Sequence, residues 1–221
     1  MDMERMFKRR YMDVKGRSLT TLMVLFFFLQ FPVFIFQSPI ALSAQVRMRD
    51  CIVRMPDSLM TLLTSVNRAD CIDFREAGME AKVTNRLGGT TELTQLTADY
   101  ALWQYTSASQ VEMKLLPLTD STSVICLVRT VQLPAPDSRI AFYDEAWVPL
   151  PLSRFIQLAS PEQHAEPVAN HFLRLTLSPL SPSLQADYTV ETYEPKDEDA
   201  ELIPTTTVTY YDWAEGRFVP R

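Results

Sequence analysis

The residues best suited to metal chemistry are the two histidines, His164 and His171, in the segment PEQHAEPVANHF. A spacing of seven would put both imidazoles on one face of a helix, with Glu162 and Glu166 near enough to complete a zinc site. The prolines at both ends of PEQHAEP interrupt such a helix, because proline lacks a backbone donor and fixes φ. We therefore expect surface or capping histidines and no metal site.

Nucleophilic catalysis needs a serine on a glycine-flanked turn, or a cysteine beside a base. The chain has only five glycines, and none stands in a G-x-S-x-G pattern. Cys71 could meet the histidines in space, but it belongs to the apolar pattern CIDF, which is typical of a buried thiol. These observations argue against serine and cysteine hydrolases.

Carboxylate pairs that could serve glycoside hydrolysis stand at two predicted strand ends, Asp144 with Glu145 and Asp212 with Glu215. Turns favour aspartate for structural reasons, and we give that interpretation preference. The acidic run EPKDEDAE at Glu194–Glu201 lacks the alternating ligands and the glycine of a calcium loop. It predicts a solvated hairpin loop, and we expect no cofactor.

Aromatic side chains in or beside predicted strands are the best candidates for a binding surface, since rigid aromatic anchors dominate many interfaces. Strand alternation allows only one of the neighbours Tyr210 and Tyr211 to face inward. We predict that Trp147 and Trp213 face outward. The predicted partner-binding residues are Tyr143, Asp144, Trp147, Tyr211, Asp212 and Trp213.

The first 44 residues have the order of a targeting segment: six basic residues, the apolar run LTTLMVLFFFLQFPVFIF, and then small residues. We predict a cleaved signal peptide with the mature chain beginning at Ala44 or Gln45. An uncleaved anchor over Leu19–Phe36 is the alternative, because that run is just long enough to span a bilayer. Both predict export, to the periplasm, the outer membrane or the cell exterior, and the anchor would be the chain's one contact with a membrane.

Charge limits the range of partners. The chain has a net charge of −6, and removing the leader, with 6 of 21 basic and 3 of 27 acidic residues, leaves 15 − 24 = −9. A chain this acidic lacks the stripe of basic residues that would neutralise the phosphates of a nucleic acid. We therefore predict an unknown protein or envelope ligand as the partner. Cys51 and Cys71 could form a disulfide in an oxidising compartment. Cys126 lies in an apolar strand pattern, which predicts that it is a core residue.

Hydrophobic periodicity predicts an α+β fold with an N-terminal helix pair followed by antiparallel meanders. Leu59, Leu62, Leu63 and Val66 have helical spacing in DSLMTLLTSV, and ADCIDFREAG predicts a second helix that ends at Gly78. From Met79 the apolar period changes to two, and turns rich in serine, aspartate and proline separate the runs. The period-two runs predict an antiparallel meander.

The chain also contains an internal similarity. At an offset of 62 residues, Val111–Val131 aligns with Leu173–Tyr193 without a gap, and at an offset of 68 Tyr143-Asp144 aligns with Tyr211-Asp212. A Pro-led helix candidate, PLSRFIQLA, precedes the second copy. We predict two tandem helix-plus-sheet units, residues 45–150 and a shorter unit over 151–221, packed together.

The strings DFREAGMEAKVTNRLGG and SRIAFYDEAW resemble an uncharacterised domain-of-unknown-function family of exported Bacteroidales proteins. The similarity is good over Asp50 to Pro151 and loose beyond, and it implies an envelope setting without implying an activity. The predicted architecture is also similar, by fold analogy alone, to the beta-lactamase-inhibitor-protein type of domain. We predict a non-catalytic protein- or ligand-binding module of the cell envelope, with a carboxylate-based, glycan-directed hydrolase as the alternative.

Overall fold

The computed structural model describes residues 46–132, 135–158, 168–194 and 201–221. The helices are α1 (Met48–Arg54), α2 (Ser65–Glu76) and α3 (Leu152–Phe155), with a 3₁₀ turn at Asp57–Leu59. The strands are β1 (Lys82–Thr84), β2 (Thr90–Leu96), β3 (Tyr100–Thr106), β4 (Ser109–Pro117), β5 (Ser123–Val131), β6 (Asp137–Tyr143), β7 (Pro149–Leu150), β8 (Val168–Leu177), β9 (Ser183–Glu194), β10 (Glu201–Ala214) and β11 (Arg217–Pro220). Within these ranges no helix has the length and apolar character needed to cross a bilayer.

The strands form two antiparallel sheets in which neighbours in sequence are neighbours in space. The first sheet has seven strands in the order β1 to β7, and the second has four in the order β11-β10-β9-β8. The predicted antiparallel meanders are therefore confirmed. The described residues form one compact unit that contains both sheets.

Strand alternation gives the first sheet two covered faces. On β4, the side chains of Val111, Met113 and Leu115 join the core beneath α1 and α2. Leu116 faces the other way, into a core shared with apolar side chains of the second sheet. The first sheet is therefore the middle layer of three, between the helices and the second sheet.

Strand β8 is an edge of the second sheet, and side chains of the first sheet satisfy its outward backbone donors. The amide of Leu173 donates to Asp137 Oδ1 at 3.3 Å, and that of Leu175 donates to Ser138 Oγ at 3.0 Å. The amide of Leu177 donates to Glu112 Oε2 at 2.9 Å. Three acceptors on β4 and β6 thus protect an edge that would otherwise be open to another strand.

The predicted N-terminal helix pair is not supported, because residues 57–66 do not form its first member. Helix α2 begins at Ser65, with Thr64 as N-cap: Thr64 Oγ1 accepts from the amide of Asn67. An N-cap residue has extended backbone, and Thr64 has φ −80° and ψ 165°, so no helix can pass through it. The second predicted helix, over ADCIDFREAG, falls largely within α2, and Gly78 follows with a φ of 72°.

Tertiary hydrogen bonds replace the helical ladder in the segment before Thr64. The guanidinium of Arg68, fully buried, donates to the carbonyls of Met55 at 2.5 Å and Leu63 at 3.3 Å. The amide of Leu62 donates to the Tyr105 hydroxyl at 2.8 Å. These partners lie on other elements, so the periodicity of the segment could not reveal them.

The two internally similar segments have the same strand topology, but their strands pair in different registers. The four strands β4 to β7 and the four strands β8 to β11 each form a consecutive meander, and Tyr143 pairs with Pro149 as Tyr211 pairs with Pro220. At the 62-residue offset Leu175 should pair with Thr189, but it pairs with Ala186, so the gapless alignment is wrong there. In place of the helix predicted for PLSRFIQLA, the structure has only the short α3. The equivalence of the two units stays a prediction.

Candidate partner-binding surface

The first predicted aromatic pair lies in the core beneath the helices. Tyr143 and Trp147 are 8% and 5% exposed, with ring centroids 5.4 Å apart. Trp147 adopts a φ of 65° in the turn after β6, which directs its indole inward, and Nε1 donates to the carbonyl of Cys51 at 2.9 Å. The prediction that Trp147 faces outward is wrong. Asp144 closes the same turn by accepting from the amides of Ala146 and Val148.

The second predicted group belongs to the core between the two sheets. Tyr211 is 2% exposed, and the half-buried Trp213 stacks on Phe155 at 6.1 Å. Trp213 Nε1 donates to the carbonyl of Pro117 at 2.7 Å. Tyr143 and Tyr211 therefore enter different cores, and the structure does not bring the six predicted residues together. Their role in binding a partner stays a prediction.

The carboxylates considered for catalysis have structural partners. Glu145 Oε1 accepts from the amide of Ser123 at 2.8 Å. Asp212 accepts two hydrogen bonds from Arg221, at 2.6 and 2.9 Å, and these bonds lower the pKa of its carboxyl. Glu215 occupies the β10–β11 turn with a φ of 52°. None of these contacts places two carboxylates across a substrate cleft.

The remaining chemical candidates are dispersed. Over the described residues no group of three or more His, Cys, Asp or Glu side chains is arranged to hold a metal ion. His171 lies exposed on β8, and His164 falls outside the described ranges. All three cysteines are buried and free, and burial raises the pKa of Cys51 and of Cys71 to about 11 and the pKa of Cys126 well above its ordinary value. A disulfide between Cys51 and Cys71 is therefore not formed in this structure.

Strand β10 carries the surface feature that the sequence patterns did not indicate. Four of its large apolar side chains are exposed by 38% to 50%: Leu202, Ile203, Val208 and Tyr210. Every residue from Leu202 to Val208 is exposed, although side chains in a strand alternate between two faces. Within the described ranges, no other element covers either face of this part of β10.

Among the residues that the structure describes, the same part of β10 has no strand paired along one edge. β9 pairs with β10 over Glu201–Asp212, whereas β11 pairs with it only from Tyr211 to Ala214. On the open side, the amide of Arg221 donates to the carbonyl of Tyr210, and on the β9 side the amide of Trp213 donates to Pro182. Since the register with β9 is uninterrupted, the even-numbered residues of β10 direct their backbone groups to the open side.

The outer face of the second sheet continues this surface. Cross-strand rows run from Thr176 through Gln185 to Tyr210, and from Arg174 through Asp187 to Val208. A cleft of about 360 Å³ lies beside Tyr210 and is lined also by Arg221. We call Leu202–Tyr210, with its open edge and outer face, the β10 surface.

A family model described as "Protein of unknown function (DUF3256)" matches residues 40–218. The chain belongs to the DUF3256 family. The resemblance to a domain-of-unknown-function family is thereby confirmed, and the family description names no activity. No curated protein matches this chain.

A solved structure extends the comparison. The DUF3256 chain is similar to a domain of an uncharacterized protein from Porphyromonas gingivalis W83, with a TM-score of 0.60 and 26% sequence identity. The match covers 80% of this chain and 98% of the other. The relative supports the fold, and its description adds no ligand or reaction.

One sequence signal could have found the β10 surface. Pro204 stands inside an otherwise regular strand pattern, ELIPTTTVTY. Proline cannot donate to a ladder, so within sheets it is confined to edges, strand starts and bulges. Pro204 is even-numbered, and its missing donor falls on the open side of β10, where the pairing with β9 is unaffected.

Proposed function

We propose that this DUF3256 protein is a non-catalytic protein-binding module of the bacterial cell envelope, and that the β10 surface binds the partner. The observation that carries the proposal is the coincidence of exposed apolar side chains and unpaired backbone groups on one strand. Each feature alone is common on soluble proteins. Together they match the surface used when another polypeptide adds a strand to a sheet.

The chemistry of the β10 surface suits a polypeptide better than a small polar substrate. No side chain between Leu202 and Tyr210 carries a charge at neutral pH, and three consecutive threonines offer hydroxyl groups beside the backbone. Half of the Tyr210 side chain is exposed, which leaves a rigid aromatic surface for an anchor contact. Backbone pairing would supply affinity, and these side chains would supply selectivity.

The envelope setting rests on the leader-like segment of residues 1–44, and the bacterial origin of the solved relative agrees with it. N-terminal sequencing of the protein from its native host should begin at Ala44 or Gln45. Retention of Leu19–Phe36 would replace the cleaved signal by the anchor, and a full-length cytoplasmic chain would refute export. Nucleic acid is not proposed as a partner, because the chain is acidic.

The alternative, a glycan-directed hydrolase, has no supporting geometry among the described residues. The four carboxylates that suggested it are engaged in turns or ion pairs, or stand in a turn. A cleft of about 540 Å³ at the β1–β2 turn is lined by one carboxylate, that of Glu92, where the reaction needs two. We therefore propose binding and not hydrolysis.

Affinity capture from the native envelope tests the proposal when it compares matched variants. Val208 and Val131 are 45% and 53% exposed valines on strands of different sheets. Val208→Lys should reduce the captured partner by at least ~10-fold, because a lysine would be desolvated at the contact, whereas Val131→Lys should capture it as the wild type does. Equal capture by both variants would refute the β10 surface as the binding site.

A further inference from the structure

We propose that the polypeptide bound by the β10 surface is β10 of a second copy of this chain, added antiparallel across a two-fold axis. The inference rests on the proposed function and names its partner. A two-fold arrangement requires a surface that complements itself, and the sequence of β10 can be tested for that property residue by residue.

The backbone groups on the open edge select the possible pairs. Leu202, Pro204, Thr206 and Val208 direct their backbone groups outward, and Pro204 has only its carbonyl to offer. In an antiparallel ladder, outward residues of one strand face outward residues of the other in hydrogen-bonded pairs. The register is therefore fixed once one pair is chosen.

The positions of the exposed apolar side chains determine which residues pair. Placing Leu202 opposite Val208 of the second copy puts two exposed aliphatic groups of the same sheet face together, twice by symmetry. Pro204 then faces Thr206 of the second copy and accepts its amide, and Thr205 faces its own symmetry mate. The edge gains about six hydrogen bonds, and only the Thr206 carbonyls keep an unpaired position.

The length of the open edge fits the same register. The second copy's β10 begins at Glu201, which would stand opposite Thr209. The next position, Tyr210, is already occupied, because its carbonyl accepts from the amide of Arg221. The added strand would therefore fill the edge up to β11 without displacing it.

Charge also permits this contact. The chain has a net charge of −6, so two copies repel one another at most relative orientations. The β10 surface has no acidic side chain from Leu202 to Tyr210. Self-pairing there brings no carboxylates opposite each other in the ladder.

Sedimentation velocity of the full chain tests the proposal directly, over protein concentrations of ~1 to ~100 µM. We expect a dimer for the wild type and for Thr206→Val, which keeps the amide. Thr206→Pro removes that amide on the open side only, and we expect its dimer dissociation constant to rise at least ~10-fold. Pro204→Thr restores the missing donor, and we expect it to tighten the dimer by a similar factor.

Hydrogen exchange identifies the contact. In the proposed dimer the outward amides of Thr206 and Val208 should exchange at least ~10-fold more slowly than in the dilute monomer, whereas the inward amides of Thr205 and Thr207 should be protected in both. A monomer at all concentrations, or a dimer in which Thr206 and Val208 stay unprotected, would overturn the proposal. If the chain is monomeric and Val208→Lys still abolishes capture of an envelope protein, self-pairing fails while the proposed function stands.

Discussion

Replacing Glu112 by alanine should destabilise the contact between the two sheets more than any conservative change at that position. Glu112 is 6% exposed and lies on β4, facing the second sheet. One oxygen, Oε2, accepts from the Leu177 amide at 2.9 Å and from the Tyr100 hydroxyl at 3.2 Å. Alanine would leave both donors buried without an acceptor.

The cost follows from those two donors. Each buried donor left without a partner costs about 1 to 3 kcal/mol, so the two cost about 2 to 6 kcal/mol. The desolvation cost of the carboxyl group, which alanine removes, is subtracted from this sum. Glutamine keeps a carbonyl oxygen at the same distance along the side chain and should lose about 1 kcal/mol or less. Urea denaturation with linear extrapolation measures both differences in the free energy of unfolding.

The pH dependence separates hydrogen bonding from charge. Burial raises the pKa of Glu112, against the lowering effect of the bonds from Leu177 and Tyr100. The contribution of a group with a raised pKa is fully present below its pKa in the unfolded chain and is lost as pH rises through its folded pKa. The wild type should therefore lose stability relative to Glu112→Gln as pH rises from below the ordinary glutamate range. An alanine variant as stable as the glutamine variant at every pH would refute this account of Glu112.

Three further outcomes are expected. Arg68→Met should lower the free energy of unfolding by about 3 to 5 kcal/mol in urea titrations, because Asp57 would lose its ion-pair partner at 2.9 Å and the buried carbonyls of Met55 and Leu63 would lose their donor, and wild-type stability would exclude that role. Trp147→Phe should cost about 1 to 2 kcal/mol by the same measurement, since the carbonyl of Cys51 loses the indole donor, and an unchanged midpoint would place the indole outside the core. The three thiols should resist a disulfide reagent in the folded chain and react after unfolding, given burial and the raised thiol pKa, whereas fast labelling at pH 8 would contradict their burial.

The sequence predicted the meanders because their signals are local. Period-two alternation and proline-containing turns mark strands without reference to the rest of the chain, and the period-two runs between Asp99 and Asp144 became strands β3 to β6 of the first sheet. The helix predicted over residues 57–66 was wrong because the cap at Thr64 and the hydrogen bonds of Arg68 depend on neighbouring elements of the fold. The helical spacing of the leucines carries no information about these tertiary hydrogen bonds.

The candidate surface depended on information of longer range. Whether Trp147 points inward is set by its positive φ within a turn, where strand alternation no longer applies. Glu112 and Lys114 look like the outward residues of a half-exposed strand, yet the second sheet covers both. The open side of β10 depends on where β11 stops, and Pro204 was its one local sign.

The acceptors that protect the edge of β8 couple the second sheet to the first. Asp137, Ser138 and Glu112 come to one line only after β4, β5 and β6 have paired, because they lie on the two outer strands of that group. Strand β8 therefore completes its backbone hydrogen bonding only when it docks on the paired strands β4 to β6. A change that separates the two sheets would accordingly expose three backbone donors on β8 as well as apolar surface.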